Sequence, residues 1–499
     1  MASGTPSTDP RVRRLARTVL LPGFRGTRAP DWLRREVQDG LGGVCLFAPN
    51  VRDEHGRGDV AALTWELHGL RNDLVVASDE EGGEVTRLQV PHGSPYPTAA
   101  ALGAVDDVAA TTAVNAAIGR LCRDHGVDLA LAPDVDVNAD PDNPVIGLRS
   151  YGADPQLVAR HAAAAVEGIQ SVGVAACAKH FPGHGDTTTD SHLALPVVDV
   201  DRDTLARRDL VPFEAVVRAG VRAVMTAHLV VAALDDRPAT LSPTVLEVLR
   251  GDLGFSGLVV SDAVDMRAIS AGVGRGPGAA RALAAGVDLV CIGNPSHPDP
   301  YDDEAAFHEV HEAVLAAVDA GDLRVDRLEE AARRVGELAW WVGETRAAAP
   351  VDDGAEEHVR EVVRTVSAGA LRTHGLGSLD ALPGPAHVLD LRGPVGMAAG
   401  ERESGVVAAL RAWREDVVVT SGADVPTGGQ VLAVVGSPRR SPDVAARLAA
   451  LVAARPDALV VATGVPDDRD DLGAHWARTY GDTRAAGAAL VAELEHVAR

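Results

Sequence analysis

One short segment, residues 178–192, concentrates side chains that can do chemistry. It reads Ala-Lys-His-Phe-Pro-Gly-His-Gly-Asp-Thr-Thr-Thr-Asp-Ser-His and contains Lys179, the only lysine among the 47 basic residues of the chain. An ammonium group differs from a guanidinium in shape and in hydrogen bonding, so a lone lysine here indicates a catalytic or ligand-binding role. The proline and glycines exclude a helix, and loops of this kind commonly carry active sites.

At the end of this segment, Asp190 precedes His192 by two positions. A carboxylate placed in this way can hold an imidazole in one orientation and stabilise its protonated form, as the aspartate of a catalytic triad does. His192 is therefore a candidate general acid and base, with Asp190 as its partner.

A second candidate is Asp262, which follows the apolar run Leu-Val-Val-Ser. A carboxylate at the tip of a buried strand is rigidly held, as a nucleophile or a charge stabiliser requires, whereas a helix N-cap is the structural alternative. In retaining glycoside hydrolysis one group attacks the anomeric carbon and another protonates the leaving oxygen. Asp262 and His192 can divide those two roles. Asp265, one helical turn further on, is interpreted as a capping residue.

A competing hypothesis is a metal-dependent hydrolase, with His180, His184, Asp186 and His192 as ligands. His180 and His184 are four positions apart, a spacing that places two metal ligands on one face of a helix. Pro182 and the neighbouring glycines exclude a helix here. We therefore expect no metal and no cofactor.

Two further segments can hold a sugar. Asp79 and Arg87 flank a pair of glycines in Asp-Glu-Glu-Gly-Gly-Glu-Val-Thr-Arg, and Arg149 lies in a long polar loop after residue 136. Carboxylates that accept from two hydroxyls beside a cation hold sugars by charge-assisted hydrogen bonds. A solvated acidic loop is the alternative interpretation.

The sequence contains eight short apolar runs, and most of them are followed by a helical stretch. We expect these runs to form the strands that position the candidate residues. A buried parallel strand reads as a continuous apolar run, so eight β-then-α units predict an α/β fold of the (β/α)8 TIM-barrel type. The runs are Val19–Phe24, Gly43–Asn50, Leu74–Asp79, Val127–Asp136, Val174–His180, Ala223–His228, Leu258–Asp262 and Val287–Asn294.

Functional residues of such a barrel lie at the carboxyl ends of its strands. Most of the runs end in residues that carry a carboxylate, an ammonium, an imidazole or an amide group. These residues are Asp79, Asp134, Asp136, Lys179, His180, His228, Asp262 and Asn294.

The alternation of apolar runs and helical stretches ends after Trp341. We predict a catalytic barrel over residues 1–345, a linker over 346–357 and a smaller α/β sandwich domain over 358–499. In the second domain we predict a helix near residues 358–373 and strands at Ala386–Leu391, Val417–Ser421, Val431–Gly436 and Ala458–Thr463. This domain shows no cluster of reactive residues, and its Gly428-Gly429-Gln430 segment is interpreted as a turn.

A net charge of −24 argues against nucleic acid and anionic membranes as partners. No stretch approaches the ~20 apolar residues of a membrane helix. The polar start of the chain has no secretory pattern, which predicts a cytoplasmic protein. The four cysteines show no metal-type spacing, and three lie in apolar runs as small hydrophobes.

Over roughly residues 15–340 the chain closely resembles glycoside hydrolase family 3, in particular its β-N-acetylglucosaminidase branch. The matching pieces are Lys179-His-Phe-Pro-Gly-His-Gly-Asp-Thr with Asp190-Ser-His192, Asp79-x-Glu-Gly-Gly-x-Val-x-Arg87, Asn143-Pro-Val-Ile-Gly-x-Arg149-Ser-Tyr-Gly, Met225-Thr-Ala-His228, and Leu253-Gly-Phe-x-Gly-Leu-Val-Val-Ser-Asp262-Ala-x-Asp-Met.

This resemblance implies a retaining exo-β-N-acetylglucosaminidase in which Asp262 is the nucleophile and Asp190 with His192 forms the acid/base. It implies that Asp79, Arg87, Arg149, Lys179, His180 and His228 line the subsite for the non-reducing sugar. Relatives with this dyad commonly act on peptidoglycan fragments in cell-wall recycling.

Two departures stand out: Glu80 replaces the usual glutamine, and Glu84 replaces a common arginine. Both are expected to add negative charge near the entrance and to affect leaving-group preference. A neutral imidazole does not repel an anion, so phosphate is a possible acceptor in place of water, and a sugar phosphorylase is the main alternative function. An inactive sugar-binding or scaffold protein is the last alternative.

Overall fold

The computed structural model describes residues 8–52, 56–90, 92–191, 193–295, 301–349, 355–376, 385–393, 403–420 and 425–497. Eight parallel strands form a barrel in the first part of the chain, one in each of the eight predicted runs. They are β1 (Leu20–Pro22), β2 (Gly43–Leu46), β3 (Val75–Ser78), β4 (Leu129–Ala130), β5 (Ala175–Phe181), β6 (Ala223–Thr226), β7 (Leu258–Ser261) and β8 (Val290–Gly293).

Neighbouring strands pair in chain order, which closes the ring. Strands β2 to β7 form one parallel sheet, and β1 pairs with β8. Two parallel bridges, Gly23 to Cys45 and Val260 to Leu289, join β1 to β2 and β7 to β8. All carboxyl ends therefore meet at one face of the barrel, as the (β/α)8 prediction requires.

The barrel interior is filled by alternate strand residues such as Leu21, Val75 and Val260. Three residues of the helix Val325–Ala348 belong to the same apolar cluster. The four cysteines are buried and unpaired, and Cys45, Cys177 and Cys291 pack inside the barrel as small hydrophobes.

Helices surround the barrel, and several begin at an aspartate. Asp59, Asp107, Asp154, Asp201 and Asp302 each accept a hydrogen bond from a backbone N–H of the first turn, which uses part of the excess of acidic residues to cap helices. The longer helices of this part are Pro10–Thr18, Asp31–Gln38, Val60–Leu70, Ala99–Val105, Val108–Asp124, Pro155–Ser171, Arg202–Arg207, Leu210–Arg218, Pro243–Glu247, Arg275–Ala285, Asp303–Ala320 and Val325–Ala348.

The second part of the chain contains a six-stranded sheet with helices and apolar clusters on both faces. In spatial order the strands run β9-β14-β13-β12-β10-β11, and only β9 is antiparallel to its neighbour. The strands are β9 (Arg372–His374), β10 (Ala386–Asp390), β11 (Val418–Thr420), β12 (Gln430–Val435), β13 (Leu459–Ala462) and β14 (His475–Arg478), and the helices are Ala355–Ala370, Gly405–Trp413, Pro442–Ala454 and Arg484–Val497.

This sheet confirms the α/β prediction for the second part, although sequence patterns indicated only four of its strands. The helix predicted near residues 358–373 ends at Ala370, and β9 follows it. Residues 350–354, within the predicted linker 346–357, lie outside the described part of the chain.

The two parts contact each other beside the open face of the barrel. The backbone N–H of Asp482 donates to Glu84 Oε1 at 3.2 Å, and that of Arg484 donates to the carbonyl oxygen of Ser94 at 3.1 Å. Val366 packs into an apolar cluster with Val114 of the barrel. Over the described residues, no helix is both long enough and apolar enough to cross a membrane.

Candidate active site

A cavity of about 440 Å3 opens at the carboxyl ends of the barrel strands. We call it the barrel cavity. Its floor is apolar, with Cys45, Leu131, Met225 and Cys291. Six of the residues singled out in the sequence line it together: Asp79, Arg87, Arg149, Lys179, His180 and Asp262. A cavity of this size suits a small ligand held by a few convergent polar groups.

Lys179 stands at the centre of an ionic network in this cavity. Its Nζ donates to Asp79 Oδ1 at 2.8 Å and lies 2.7 Å from Glu81 Oε1. The side chain is only 2% exposed. Burial alone would lower the pKa of Lys179, but the charges of Asp79 and Glu81 outweigh burial and raise it above its ordinary value. Lys179 is therefore a permanently charged donor in the cavity wall.

Glu81 joins this lysine to Arg149. The carboxylate accepts two hydrogen bonds from the guanidinium, from Nε at 3.0 Å and from Nη2 at 2.8 Å. Burial opposes ionisation, but Arg149 and Lys179 together hold the pKa of Glu81 below its ordinary value. The two-bonded geometry fixes the plane of Arg149 against the cavity.

Asp79 and Arg87 form a second ion pair, at 3.2 Å. Burial raises the pKa of Asp79, but Lys179 and Arg87 more than compensate and keep it well below the usual range. The backbone N–H groups of Arg87 and Leu88 both donate to Glu80 Oε2 at 3.0 Å. Glu80 therefore holds the backbone that carries the Arg87 side chain.

His180 is oriented by Asp136, which lies six residues after the end of β4. Its Nδ1 donates to Asp136 Oδ2 at 2.8 Å, and Arg149 Nη2 lies 3.3 Å from its Nε2. Burial, reinforced by the charge of Arg149, lowers the pKa of His180 to about 4. The imidazole is therefore neutral near pH 7, with Nε2 as an acceptor.

The metal hypothesis receives no support from the contacts of its proposed ligands. His184 Nδ1 lies 2.9 Å from Thr187 Oγ1 and its Nε2 lies 3.2 Å from Ser191 Oγ. Asp186 pairs with Arg208 at 2.9 Å, and His192 lies outside the described residues.

A different trio, Asp134, Asp136 and His180, does bring three potential ligand atoms close together. However, Arg149 Nη2 lies 3.5 Å from Asp134 Oδ2. The guanidinium already supplies the positive charge that a metal would bring to this place, so these residues do not fit a metal ion.

Asp262 follows β7, at the rim of the barrel cavity. Its own backbone N–H donates to the carbonyl oxygen of Thr226, and its Oδ1 accepts from the N–H of Ala263 at 2.7 Å. No helix begins at this residue: the next helical turn starts at Arg267, with Met266 at the N-cap position. The geometry therefore favours a chemical role for Asp262 over the capping alternative.

The loop that carries the proposed acid/base reaches the same place. His192 lies outside the described residues, but Ser191 and Leu193 on either side of it both line the barrel cavity. The carbonyl oxygen of Ser191 accepts from the N–H of Ala268, which follows Asp262 in the chain. The carbonyl oxygen of Asp190 accepts from the backbone N–H of Leu193 at 2.9 Å.

His228 is not among the residues that line the barrel cavity. It is fully buried, its Nε2 donates to the carbonyl oxygen of Ala263 at 2.9 Å, and its Nδ1 lies 2.8 Å from Thr240 Oγ1. The structure therefore places His228 behind the segment that carries Asp262.

Two expectations from the sequence are wrong in detail. Glu80 does not lie at the entrance, because it is fully buried, and burial raises its pKa to about 7. Asp265 caps no helix; it lines the barrel cavity, and burial raises its pKa to about 8. The negative charge expected from Glu84 near the entrance stays a prediction; its Oε1 accepts from the backbone N–H of Asp482 in the second domain.

Sequence reasoning assigned no site role to Glu81 or Asp265, and it noted Asp136 only as a residue that ends a predicted strand. Glu81 and Asp136 lie beside predicted site residues, and a signal for them existed in the clustering of acids at strand ends. What the sequence does not show is which of two consecutive acids faces the cavity.

Comparison with known proteins agrees with this geometry. Residues 28–338 match the model of the glycosyl hydrolase family 3 N-terminal domain. Beta-hexosaminidase A of Pseudoalteromonas piscicida is 33% identical over 322 residues, which make up 60% of this chain and 53% of that protein. The chain thus spans about half the length of that relative. Beta-hexosaminidase of Stenotrophomonas maltophilia (strain K279a) is 36% identical over 332 residues, 63% of this chain and 95% of that protein.

A solved structure is similar over nearly the whole length. It is a glycoside hydrolase family 3 β-N-acetylglucosaminidase from Paenibacillus sp. str. FPU-7, with a TM-score of 0.84, 32% identity and coverage of 97% of this chain and 96% of that one. The barrel, the cavity residues and the matched family model lead to one conclusion: the chain is a glycoside hydrolase that belongs to glycosyl hydrolase family 3.

Proposed function

We propose that the protein is a retaining exo-β-N-acetylglucosaminidase. It removes the non-reducing terminal sugar from small glycosides such as peptidoglycan fragments. One observation carries the proposal. Asp262, Ser191 of the loop that bears the proposed acid/base, and Lys179 all line the same cavity. The sugar preference is supported by the similarity to β-hexosaminidases and to a β-N-acetylglucosaminidase.

In the first step, a carboxylate oxygen of Asp262 attacks the anomeric carbon, and the glycosidic bond breaks. His192, held by Asp190, gives its proton to the departing oxygen, so that a glycosyl ester of Asp262 remains. In the second step the now neutral imidazole takes a proton from water as that water attacks the anomeric carbon. The ester bond breaks, and the sugar is released with its original β configuration.

The remaining cavity residues hold the sugar. Asp79 accepts hydrogen bonds from hydroxyl groups, while Lys179 and Arg149 donate to them. Neutral His180 accepts through Nε2. Each of these groups has its charge state set by a buried partner, so that little reorganisation is needed when the substrate enters.

The test is turnover of an aryl β-N-acetylglucosaminide by the wild type and by Asp262→Asn, His192→Ala and Asp190→Asn. We expect a loss of at least about 1000-fold in kcat for Asp262→Asn, because a nucleophile has no substitute. Asp252→Asn is the matched control, since this exposed aspartate lies before β7, at the opposite end of the strand. Unchanged turnover in Asp262→Asn contradicts the proposal.

Running the same assay in phosphate and in a phosphate-free buffer decides between water and phosphate as the acceptor. We expect the free sugar in both buffers. Sugar 1-phosphate formed only with phosphate establishes the phosphorylase alternative instead.

A further inference from the structure

A second cavity, of about 400 Å3, lies between the barrel and the second domain. We call it the interdomain cavity. It shares Val85, Val145 and Arg149 with the barrel cavity, so the two are neighbours with a common wall. A leaving group that extends from a sugar in the barrel cavity past these three residues reaches the second domain.

The carboxyl ends of the strands of the second domain face this cavity, and this edge of a parallel sheet most often binds ligands. The chain passes from β10 outward to β11, then returns to β12 and continues outward on the other side, so the strand order reverses between β10 and β12. In open α/β sheets, ligands bind outside the carboxyl ends of the strands at such a reversal. Arg392 and Gly393 follow β10, Gly436 and Ser437 follow β12, and all four line the interdomain cavity.

Arg440 supplies a cation to this place. Its Nη2 donates to the carbonyl oxygen of Pro141 at 3.1 Å, which joins the second domain to the polar loop of the barrel. Its Nη1 lies 3.2 Å from the position that a Cβ on Gly147 would occupy. Gly147 precedes Arg149 by two residues, so the guanidinium of Arg440 lies next to the wall shared by the two cavities.

The other charged groups around Arg440 have partners of their own. Arg392 pairs with Asp390 and Asp482. The acids whose charges act on Arg440 are Asp140, Asp142 and Glu84. Asp142 lies 3.5 Å from Arg469, Asp140 Oδ1 accepts from the backbone N–H of Asp142 at 2.8 Å, and Glu84 accepts from the backbone N–H of Asp482.

Within the described part of the chain, Arg440 forms no ion pair with a carboxylate. A guanidinium in a cavity with only a carbonyl partner is suited to bind an anionic group of a ligand.

We propose that the second domain binds the leaving group of the substrate and that Arg440 recognises a carboxylate on it. This inference rests on the proposed function, because it assigns the leaving-group side of the same reaction. Arg440 thus determines substrate specificity from outside the barrel cavity, in which the glycosidic bond breaks.

The experiment compares two β-N-acetylglucosaminyl disaccharides. In one, the second sugar carries a lactyl ether with a free carboxylate; in the other, that group is the carboxamide. The variants are Arg440→Ala, Arg440→Gln, which keeps a donor to Pro141 but removes the charge, and Arg440→Lys, which restores the charge. Arg439→Ala is the matched control, since Arg439 is exposed and lies 3.6 Å from Asp467.

We expect Arg440→Ala and Arg440→Gln to lower kcat/KM for the carboxylate substrate by about tenfold, the scale of one charge-assisted hydrogen bond. For the carboxamide we expect a change of less than about twofold. Arg440→Lys should recover most of the activity, and Arg439→Ala should behave as the wild type. Equal losses on both substrates, or no loss on either, overturn the inference.

Failure of the proposed function is recognised separately. If the wild type cleaves no β-N-acetylglucosaminide at all, the proposed reaction is wrong. In that case, calorimetric titration of the protein with the carboxylate-bearing sugar alone tests whether Arg440 binds this group. Binding by the wild type that Arg440→Gln loses supports the site, whereas equal affinity of the two proteins overturns it.

Discussion

Lys179 Nζ lies 2.7 Å from Glu81 Oε1 and 2.8 Å from Asp79 Oδ1. One ammonium thus joins two carboxylates from the segment after β3, in which Glu81 belongs to a short strand, Glu80–Gly82. Each carboxylate also pairs with an arginine, Asp79 with Arg87 and Glu81 with Arg149. The whole wall that we propose to hold the sugar is therefore one electrostatic unit, and a change at any member alters the others.

Lys179→Ala should lower both stability and activity. Breaking a buried ionic contact from one side destabilises by about 3 kcal/mol, and loss of one charged donor lowers kcat/KM by roughly ten- to a hundredfold. Lys179→Arg should not restore activity, because a larger planar guanidinium cannot reproduce both short contacts of the ammonium with Asp79 and Glu81. Urea unfolding and steady-state kinetics measure both effects. Wild-type kinetics in Lys179→Arg contradict this account.

Glu81→Gln tests a residue that sequence reasoning did not single out. The amide keeps the shape but removes the charge that faces Arg149 and Lys179, so we expect a fall of about tenfold or more in kcat/KM. Glu167→Gln, at an exposed glutamate on the helix Pro155–Ser171, is the control. If both variants match the wild type, the ionic wall is not needed to hold the sugar.

Glu80→Gln should stabilise the protein at alkaline pH. Because folding raises the pKa of Glu80 from 4.5 to about 7, the folded state favours the protonated carboxyl. Its contribution to stability is present below pH 4.5 and is lost as the pH rises to 7. The loss reaches about 3 kcal/mol.

The difference in unfolding free energy between Glu80→Gln and the wild type should therefore grow from pH 5 to pH 8. Urea titrations at both values measure it, with Glu356→Gln as an exposed control. A difference that does not change with pH shows that Glu80 is not held protonated.

His228→Ala distinguishes two roles for this histidine. The family resemblance implies contact with the sugar, whereas the structure shows a hydrogen bond to the carbonyl oxygen of Ala263, next to Asp262. If His228 only positions that segment, kcat should fall by about tenfold or more while KM changes little, since the reacting atom is displaced but the sugar contacts remain. A large rise in KM with unchanged kcat supports direct contact instead.

The barrel could be predicted from the sequence because its strands are buried on both faces. All eight runs contain a strand, and the polar residues that end them meet at one face, where six of the nine predicted site residues line the barrel cavity. The strands β9 and β14 were not predicted. β9 is fully exposed and β14 is partly so, and neither has an apolar pattern to reveal it.

Side-chain direction could not be predicted. Glu80 and Glu81 are adjacent in a short strand, so their side chains point to opposite sides, and one holds the backbone of Arg87 while the other faces Lys179. The sequence shows two acids and does not show which side is the cavity. The contact between Glu84 and Asp482 depends on the packing of residues about 400 positions apart, for which the sequence carries no local signal.

The attack of Asp262 on the anomeric carbon is the central claim, and trapping the covalent intermediate tests it most directly. The enzyme is incubated with a fluorinated N-acetylglucosaminyl fluoride that forms the ester quickly and releases it slowly, digested with pepsin and examined by tandem mass spectrometry. We predict one added sugar on the peptide that contains Asp262, and none on Asp262→Asn. An unlabelled but inactivated enzyme, or a sugar on another residue, contradicts the mechanism.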